Sequence, residues 1–301
     1  MDHSAIVKAH EDFTWARGKE MFNRLQFFMN PEKEKLLSFN DVKNLVRPKG
    51  EAYWGMRVVP IRLIVGSEGR YKDFNKYFLP KSDHVRARWE SVDRAYIKDV
   101  ILPPIQLCEI GGVYFVRDGN HRVSVAKTQG VEMIDAEVTS LTSDIELNPN
   151  MTVEELRGIV IAREKETFYE NTNFGVLTGC HDLDFSRTGL YDVIYRHIQK
   201  HNYYLNKNNS KEIPFPDAVV SWYKNVYMPI VQIIHDLNLR SQFPKRTPSD
   251  LYIWIVKHWD DLKQKYGDDF SPQEAACDFT LKFGKKKRFL QWLHKTFGRK
   301  N

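Results

Sequence analysis

The residues of this chain best placed to do chemistry are Asp118-Gly119-Asn120-His121-Arg122, a polar turn followed by Val123 and Ser124. An alternating run, Val113 to Arg117, precedes the turn, and a segment closed by Gly130 follows it. The turn therefore falls between a strand and the start of a helix, where free backbone N–H groups and the helix dipole favour an anion. Gly119 allows the backbone to approach a ligand closely. His121 and Arg122 add side-chain donors, and an arginine forks onto two phosphate oxygens at once. Ser124 lies one step further into the first turn. Asp118 suits a helix cap, a metal ligand or a general base, and His121 a catalytic partner. The chemistry suggested is phosphate binding, with the polyphosphate of a nucleotide as ligand. The competing reading is a common D-G-N tight turn with an ordinary cap.

Other polar groups are weaker candidates. Gly66-Ser67-Glu68-Gly69-Arg70 is a flexible loop from which Arg70 and Lys72 could reach a phosphate, but it lacks the Lys-Ser/Thr of a P-loop. Arg86, Arg88 and Glu90 fall on a helical segment whose charged face is solvated by default. Asp73 and Glu90 are further carboxylates in the stretch of chain before the turn. Cys180, His181, Asp182 and Asp184 match no zinc spacing, and His197 and His201 lack the glutamate of H-E-x-x-H, so no metal site is expected. Lys285, Lys286, Lys287 and Arg288 head a basic tail in which Phe289, Leu290, Leu293 and Phe297 share a helical face. Such a tail suits a nucleic-acid backbone, an anionic surface or a partner protein.

The elements that position these residues are legible from periodicity and caps. Helices are expected over about 4–29 and 40–46, from Ser82-Asp83 with Val85, Trp89, Val92 and Tyr96 on one face, and from His121 to Thr128. Arg57 to Val65 reads as one buried strand. Ile105 to Cys108 and Val113 to Arg117 read as a hairpin through Gly111-Gly112, and Met133 to Val138 as a further strand. Thr152, Thr247 and Ser271 each precede a carboxylate three residues on, which marks three helix starts. A long helix spanning Val219 to Leu237 should kink at Pro229. The second half of the chain is thus mostly helical, its aromatic stripes serving as packing.

The chain has 301 residues, 42% hydrophobic, with 45 Lys and Arg against 39 Asp and Glu, a net charge of +6. That composition excludes a disordered or collagen-like chain. No apolar run reaches the roughly 20 residues of a membrane helix, and no secretion signal is visible, so a cytoplasmic protein without an integral membrane segment is expected. Three separated cysteines speak against a disulfide framework. Eight Lys and Arg follow Asp278 with no acidic residue after it, so the rest of the chain is slightly acidic. Any nucleic-acid affinity should reside in the tail.

Residues Val58 to Leu141, and most specifically Tyr114-Phe115-Val116-Arg117-Asp118-Gly119-Asn120-His121-Arg122-Val123-Ser124-Val125-Ala126-Lys127, resemble the core of the ParB/sulfiredoxin superfamily, the ParB-like nuclease domain. The resemblance covers about a third of the chain. It implies an α+β fold: a ParB/sulfiredoxin-like core over 51–145, a helical N-terminal extension over 1–50, a helical connector over 146–210 and a mostly α-helical C-terminal domain with the basic tail over 211–301. It also implies that Gly119, Asn120, His121 and Arg122 contact the phosphates of ATP, ADP or CTP, with Mg²⁺ as companion ion. Sulfiredoxins carry a nucleophilic cysteine where this chain has Asn120, so sulfinic acid reduction is not expected. The layout around Gly66 to Phe74 and Trp222 to Pro229 is similar to uncharacterised bacterial ParB-like proteins with helical C-terminal regions. Three functions stay open: a nucleotide-binding regulatory protein associated with DNA through its tail, a kinase or nucleotide hydrolase using the same cradle, and a non-catalytic helical adaptor.

Overall fold

The computed structural model describes residues 3–207, 211–266 and 271–284. The chain is an α+β protein with a six-stranded sheet and a helical C-terminal region. It forms two compact units, Met1–Val160 and Ile161–Asn301. No helix among the described residues is long and apolar enough to cross a membrane.

The first unit begins with helix α1 (His3–Gln26), the two-residue strand β1 (Leu37–Ser38) and helix α2 (Phe39–Val46). Strands β2 (Glu51–Pro60) and β3 (Ile64–Ser67) follow, then helix α3 (Arg86–Ile97). The core unit is β4 (Ile105–Ile110), β5 (Val113–Asp118), α4 (Asn120–Thr128) and β6 (Met133–Leu141). The sheet order is β1-β3-β5-β4-β6-β2. β3 runs parallel to β1 and β5, β4 parallel to β6, while the β4–β5 and β2–β6 pairs are antiparallel.

Successive side chains of a strand point to opposite faces, and the central strands bury both. Ile105 and Leu107 of β4 and Val116 of β5 pack with Phe13, Trp89 and Val123 on one side. Cys108, Ile110, Val113 and Phe115 pack with Phe39, Val42, Leu156 and Val160 on the other. Gly66 is required where β3 passes between β1 and β5, because a Cβ there would lie 2.3 Å from the Phe115 ring and 2.5 Å from the Leu37 carbonyl.

The expected strand over 57–65 is corrected. Pro60 leads into a 3₁₀ turn at Ile61–Leu63, so the apolar run is shared between two strands that lie on opposite sides of the β5-β4-β6 centre. β2 is an edge strand, and Tyr53, Met56 and Val58 are exposed. Tyr96, expected on the apolar face of α3, is 44% exposed, while Val85, Trp89 and Val92 are buried as the spacing implied.

The second unit is helical. Helix α5 (Val153–Thr172) crosses the division, followed by α6 (Phe174–Thr178), α7 (Leu190–Asn206), α8 (Phe215–Trp222), α9 (Met228–Asp236), α10 (Leu239–Gln242), α11 (Pro248–Tyr266) and α12 (Pro272–Phe283). Its core is aromatic: Trp222 meets Tyr252 edge-on at 5.8 Å, and Tyr227 lies 5.1 Å from Tyr252. The long helix expected over 219–237 is α8 and α9 joined through a π turn at Tyr223–Tyr227. Pro229 is the second residue of α9, just beyond that turn, and the widened turn accommodates a residue with no N–H to donate. All three expected caps form. Thr152 with Glu155, Thr247 with Asp250 and Ser271 with Glu274 exchange side-chain and backbone hydrogen bonds reciprocally.

Candidate functional site

The turn after β5 is shaped by Gly119, whose φ of +100° belongs to the left-handed region. An added Cβ would lie 2.5 Å from Ile105 and 3.0 Å from Arg122 Nε, so the position excludes other residues on two grounds. The first helical hydrogen bond of α4 runs from Val123 N to Gly119 O at 3.0 Å, and no side chain caps the helix. The N–H groups of Asn120, His121 and Arg122 thus open α4 with no helical or capping acceptor among the described residues. Asn120 is buried, and its Oδ1 has no partner there either.

The side chains around the turn divide into two groups. Arg122 is tied to the protein: Nη1 donates to the carbonyls of Pro103 and Pro104, the latter at 3.0 Å, and Nη2 pairs with the exposed Asp118 at 2.5 Å. Arg122 therefore braces the turn against the Pro103-Pro104 segment. Ser124 is fully buried; it donates to the Phe78 carbonyl at 2.5 Å and accepts from Trp89 Nε1 at 2.8 Å. Its hydroxyl belongs to the core and does not face the turn.

His121 meets the Phe74 ring edge-on at 5.5 Å, and its Nε2 is buried without a partner among the described residues. Burial, together with the positive field of Arg70 and Arg88, pushes its imidazole down to about 4. His121 is neutral at physiological pH and offers a polar atom without a charge. The charge comes from elements away in sequence. Arg70 pairs with Asp73 at 3.0 Å, and Asp73 also meets His84 at 3.3 Å. Arg88, on the exposed side of α3, has no ion-pair partner among the described residues. Glu90 is engaged by His10 and Arg86.

The structure thus brings together Asp118, Gly119, Asn120, His121 and Arg122 and separates Ser124 from them. Arg70 and Arg88 supply the field at the turn. The sequence places Arg70 on a loop that could reach a phosphate and Arg88 on a solvated helix face, and nothing local to either shows that both lower the basicity of His121.

The remaining candidates have ordinary partners. Cys180 donates to Asp182 at 3.3 Å, Lys165 pairs with Asp184, His197 contacts the Tyr252 hydroxyl and His201 the Ser221 hydroxyl. No group of three potential metal ligands occurs among the described residues. Cys108 is buried, and desolvation raises its thiol above the ordinary range. Lys285, Lys286, Lys287 and Arg288 lie outside the described residues.

No family model matches the chain, and no curated protein matches it. Two solved structures of a pNOB8-like ParB N-domain, one of them in a C222₁ crystal form, are similar to it at 12% identity and a TM-score of 0.21. They cover 82% and 84% of this chain and 98% of their own. Likeness at that level carries no argument about what this chain does.

Proposed function

We propose that the first unit binds the phosphates of a nucleotide at the start of α4, and that the chain associates with DNA through the basic tail after Asp278. The observation that carries the nucleotide half is the set of three N–H groups at Asn120, His121 and Arg122, held open by Gly119 at the head of a nine-residue helix. Helix N-termini bind anions through such groups, and the cations Arg70 and Arg88 lie close enough to perturb His121. In this reading Arg122 and Asp118 fix the turn, while the backbone amides and Arg88 meet the ligand. The motif Asp118 to Lys127, which resembles the nucleotide cradle of ParB-like proteins, supports the same assignment.

Binding is favoured over turnover because the turn offers no free base. His121 is too weakly basic near neutrality, and Asp118 and Asp73 are held in ion pairs. Mg²⁺ would act by neutralising bound phosphates.

Thermal-shift measurements with ATP, ADP, CTP and GTP, with and without Mg²⁺, test this. A ligand bound only by the native state raises the melting temperature by several degrees at concentrations well above Kd. At least one nucleotide should do so, and Arg70→Ala/Arg88→Ala should reduce the shift without lowering the melting temperature of the free protein. No shift with any nucleotide, or the same shift in the double variant, would overturn the assignment.

A further inference from the structure

The first unit contains a second polar feature that the turn does not use. A cleft of about 780 Å³ opens between α1, the segment following it, the Pro60–Val65 region, the loop at 76–79, the end of α4 with the residues after it, and the segment at 149–152. That volume falls within the range of about 300–1,000 Å³ typical of small-molecule sites. Leu37, Ile61, Ile64, Leu79 and Val131 contribute apolar surface. Six cations share the lining, Lys19, Lys33, Lys35, Arg62, Lys76 and Lys127, against two carboxylates, Glu32 and Glu132.

Five of the six cations form no ion pair among the described residues. Lys35 pairs with Glu32 at 2.5 Å, and Lys33 lies in the field of Glu155. Lys19 rests on the Trp15 ring at 4.7 Å and Lys76 on the Tyr77 ring at 5.2 Å. Such contacts hold an ammonium without cancelling its charge. Arg62 has no ion-pair partner among the described residues. Lys127 is the most telling: its ammonium donates to the Ile64 carbonyl at 2.9 Å and lies 4.7 Å from the Phe78 ring, with no carboxylate beside it. Burial pushes it down to about 8. A partly buried charge without a counter-ion is costly, and an anion in the cleft would supply the missing partner.

We propose that this cleft is a second, independent binding site, which takes a compact oligophosphate. Lysine ammoniums act as point charges that accept phosphoryl oxygens in any orientation, and Arg62 adds one planar fork. The walls come from six separate segments and form a concave space, which suits a compact anion better than an extended strand. Lys127 stands seven residues along α4 from Asn120, about 10 Å at 1.5 Å per residue, so the two sites occupy opposite ends of one helix.

Isothermal titration of the full chain with tripolyphosphate, in metal-free buffer, tests the cleft apart from the turn. Binding should be unchanged in Arg70→Ala/Arg88→Ala, which weakens only the turn. It should weaken at least about tenfold in Arg62→Ala, the loss expected for one charge-assisted contact, and disappear in Arg62→Ala/Lys127→Met. Lys127→Met removes a poorly compensated charge but also the donor to the Ile64 carbonyl, so the melting temperature of the variant is measured alongside, and binding lost while the cooperative melting transition is retained does not reflect unfolding. Four results overturn the proposal: no heat with the wild type, binding unaffected in Arg62→Ala/Lys127→Met, citrate binding as tightly as tripolyphosphate, or displacement by single-stranded DNA with affinity that grows with strand length.

Discussion

Two ionisable side chains of the first unit, one buried and one half-buried, make opposing demands on pH. Asp93 of α3 is fully buried; one oxygen accepts from Gln129 Nε2 at 2.8 Å, and the other has no partner among the described residues. Burial pushes its carboxyl up to about 6. The folded state then holds a proton that the unfolded state, with a pKa near 3.9, has released, so stability falls as pH rises from about 4 to 6. His121 works in reverse. Its folded value of about 4 lies below an unfolded value near 6.5, so the unfolded state protonates first and stability falls as pH drops through that window. Each effect is about 3 kcal/mol. They overlap and nearly cancel between about pH 4 and 6.5, so removing either one should tilt the urea-unfolding profile relative to the wild type. Asp93→Asn should add a loss of about 3 kcal/mol on acidification, and His121→Gln a gain of similar size. Profiles parallel to the wild type in both variants would refute the assignment.

At the scale of elements, helix starts carry a measurable part of the stability. Asp250, in the first turn of α11, is almost fully buried and accepts from Thr247 N at 3.0 Å and Ser186 N at 3.1 Å. It therefore caps its own helix and also ties down the segment before α7. Asp250→Ala leaves two N–H groups without acceptors and should cost about 2–4 kcal/mol in urea unfolding, against roughly 1 kcal/mol for the exposed cap variant Ser271→Ala. A cost for Asp250→Ala no larger than for Ser271→Ala would remove the second role. These caps were legible because hydroxyl and carboxylate are three residues apart in sequence. The hairpin through Gly111-Gly112 and the strand, turn and helix that follow were legible for the same local reason. The division of 57–65 was not, because a run of Val and Ile reads alike whether the chain continues or steps across a sheet at Pro60. Nor was the role of Ser124, whose partners Phe78 and Trp89 come from other parts of the chain. The cationic cleft escaped notice because its lysines are scattered over more than a hundred positions, each one ordinary where it stands.

At the scale of the whole molecule, charge is unevenly distributed. The eight Lys and Arg after Asp278 exceed the net +6, so the preceding chain carries a small negative excess. Deleting residues 285–301 should abolish retention on duplex DNA while leaving the nucleotide thermal shift in place. In the full chain, DNA affinity should fall steeply with salt, because each phosphate neutralised releases counter-ions. DNA binding that survives the deletion with the same salt slope would place the interface elsewhere.

The sheet order also governs when the first unit can fold. β2 emerges early, yet its strand partner is β6, antiparallel from Glu51 opposite Leu141 to Pro60 opposite Met133. Until β6 has been synthesised, Tyr53, Trp54, Met56 and Val58 belong to a strand with no neighbour, and an unpaired apolar edge is where chains associate wrongly. Closing so long a loop also slows folding compared with the local contacts of a helical unit. The nascent chain is thus most exposed to misassembly between the emergence of β2 and the completion of β6, and a chaperone that shields that edge would raise the yield of folded protein.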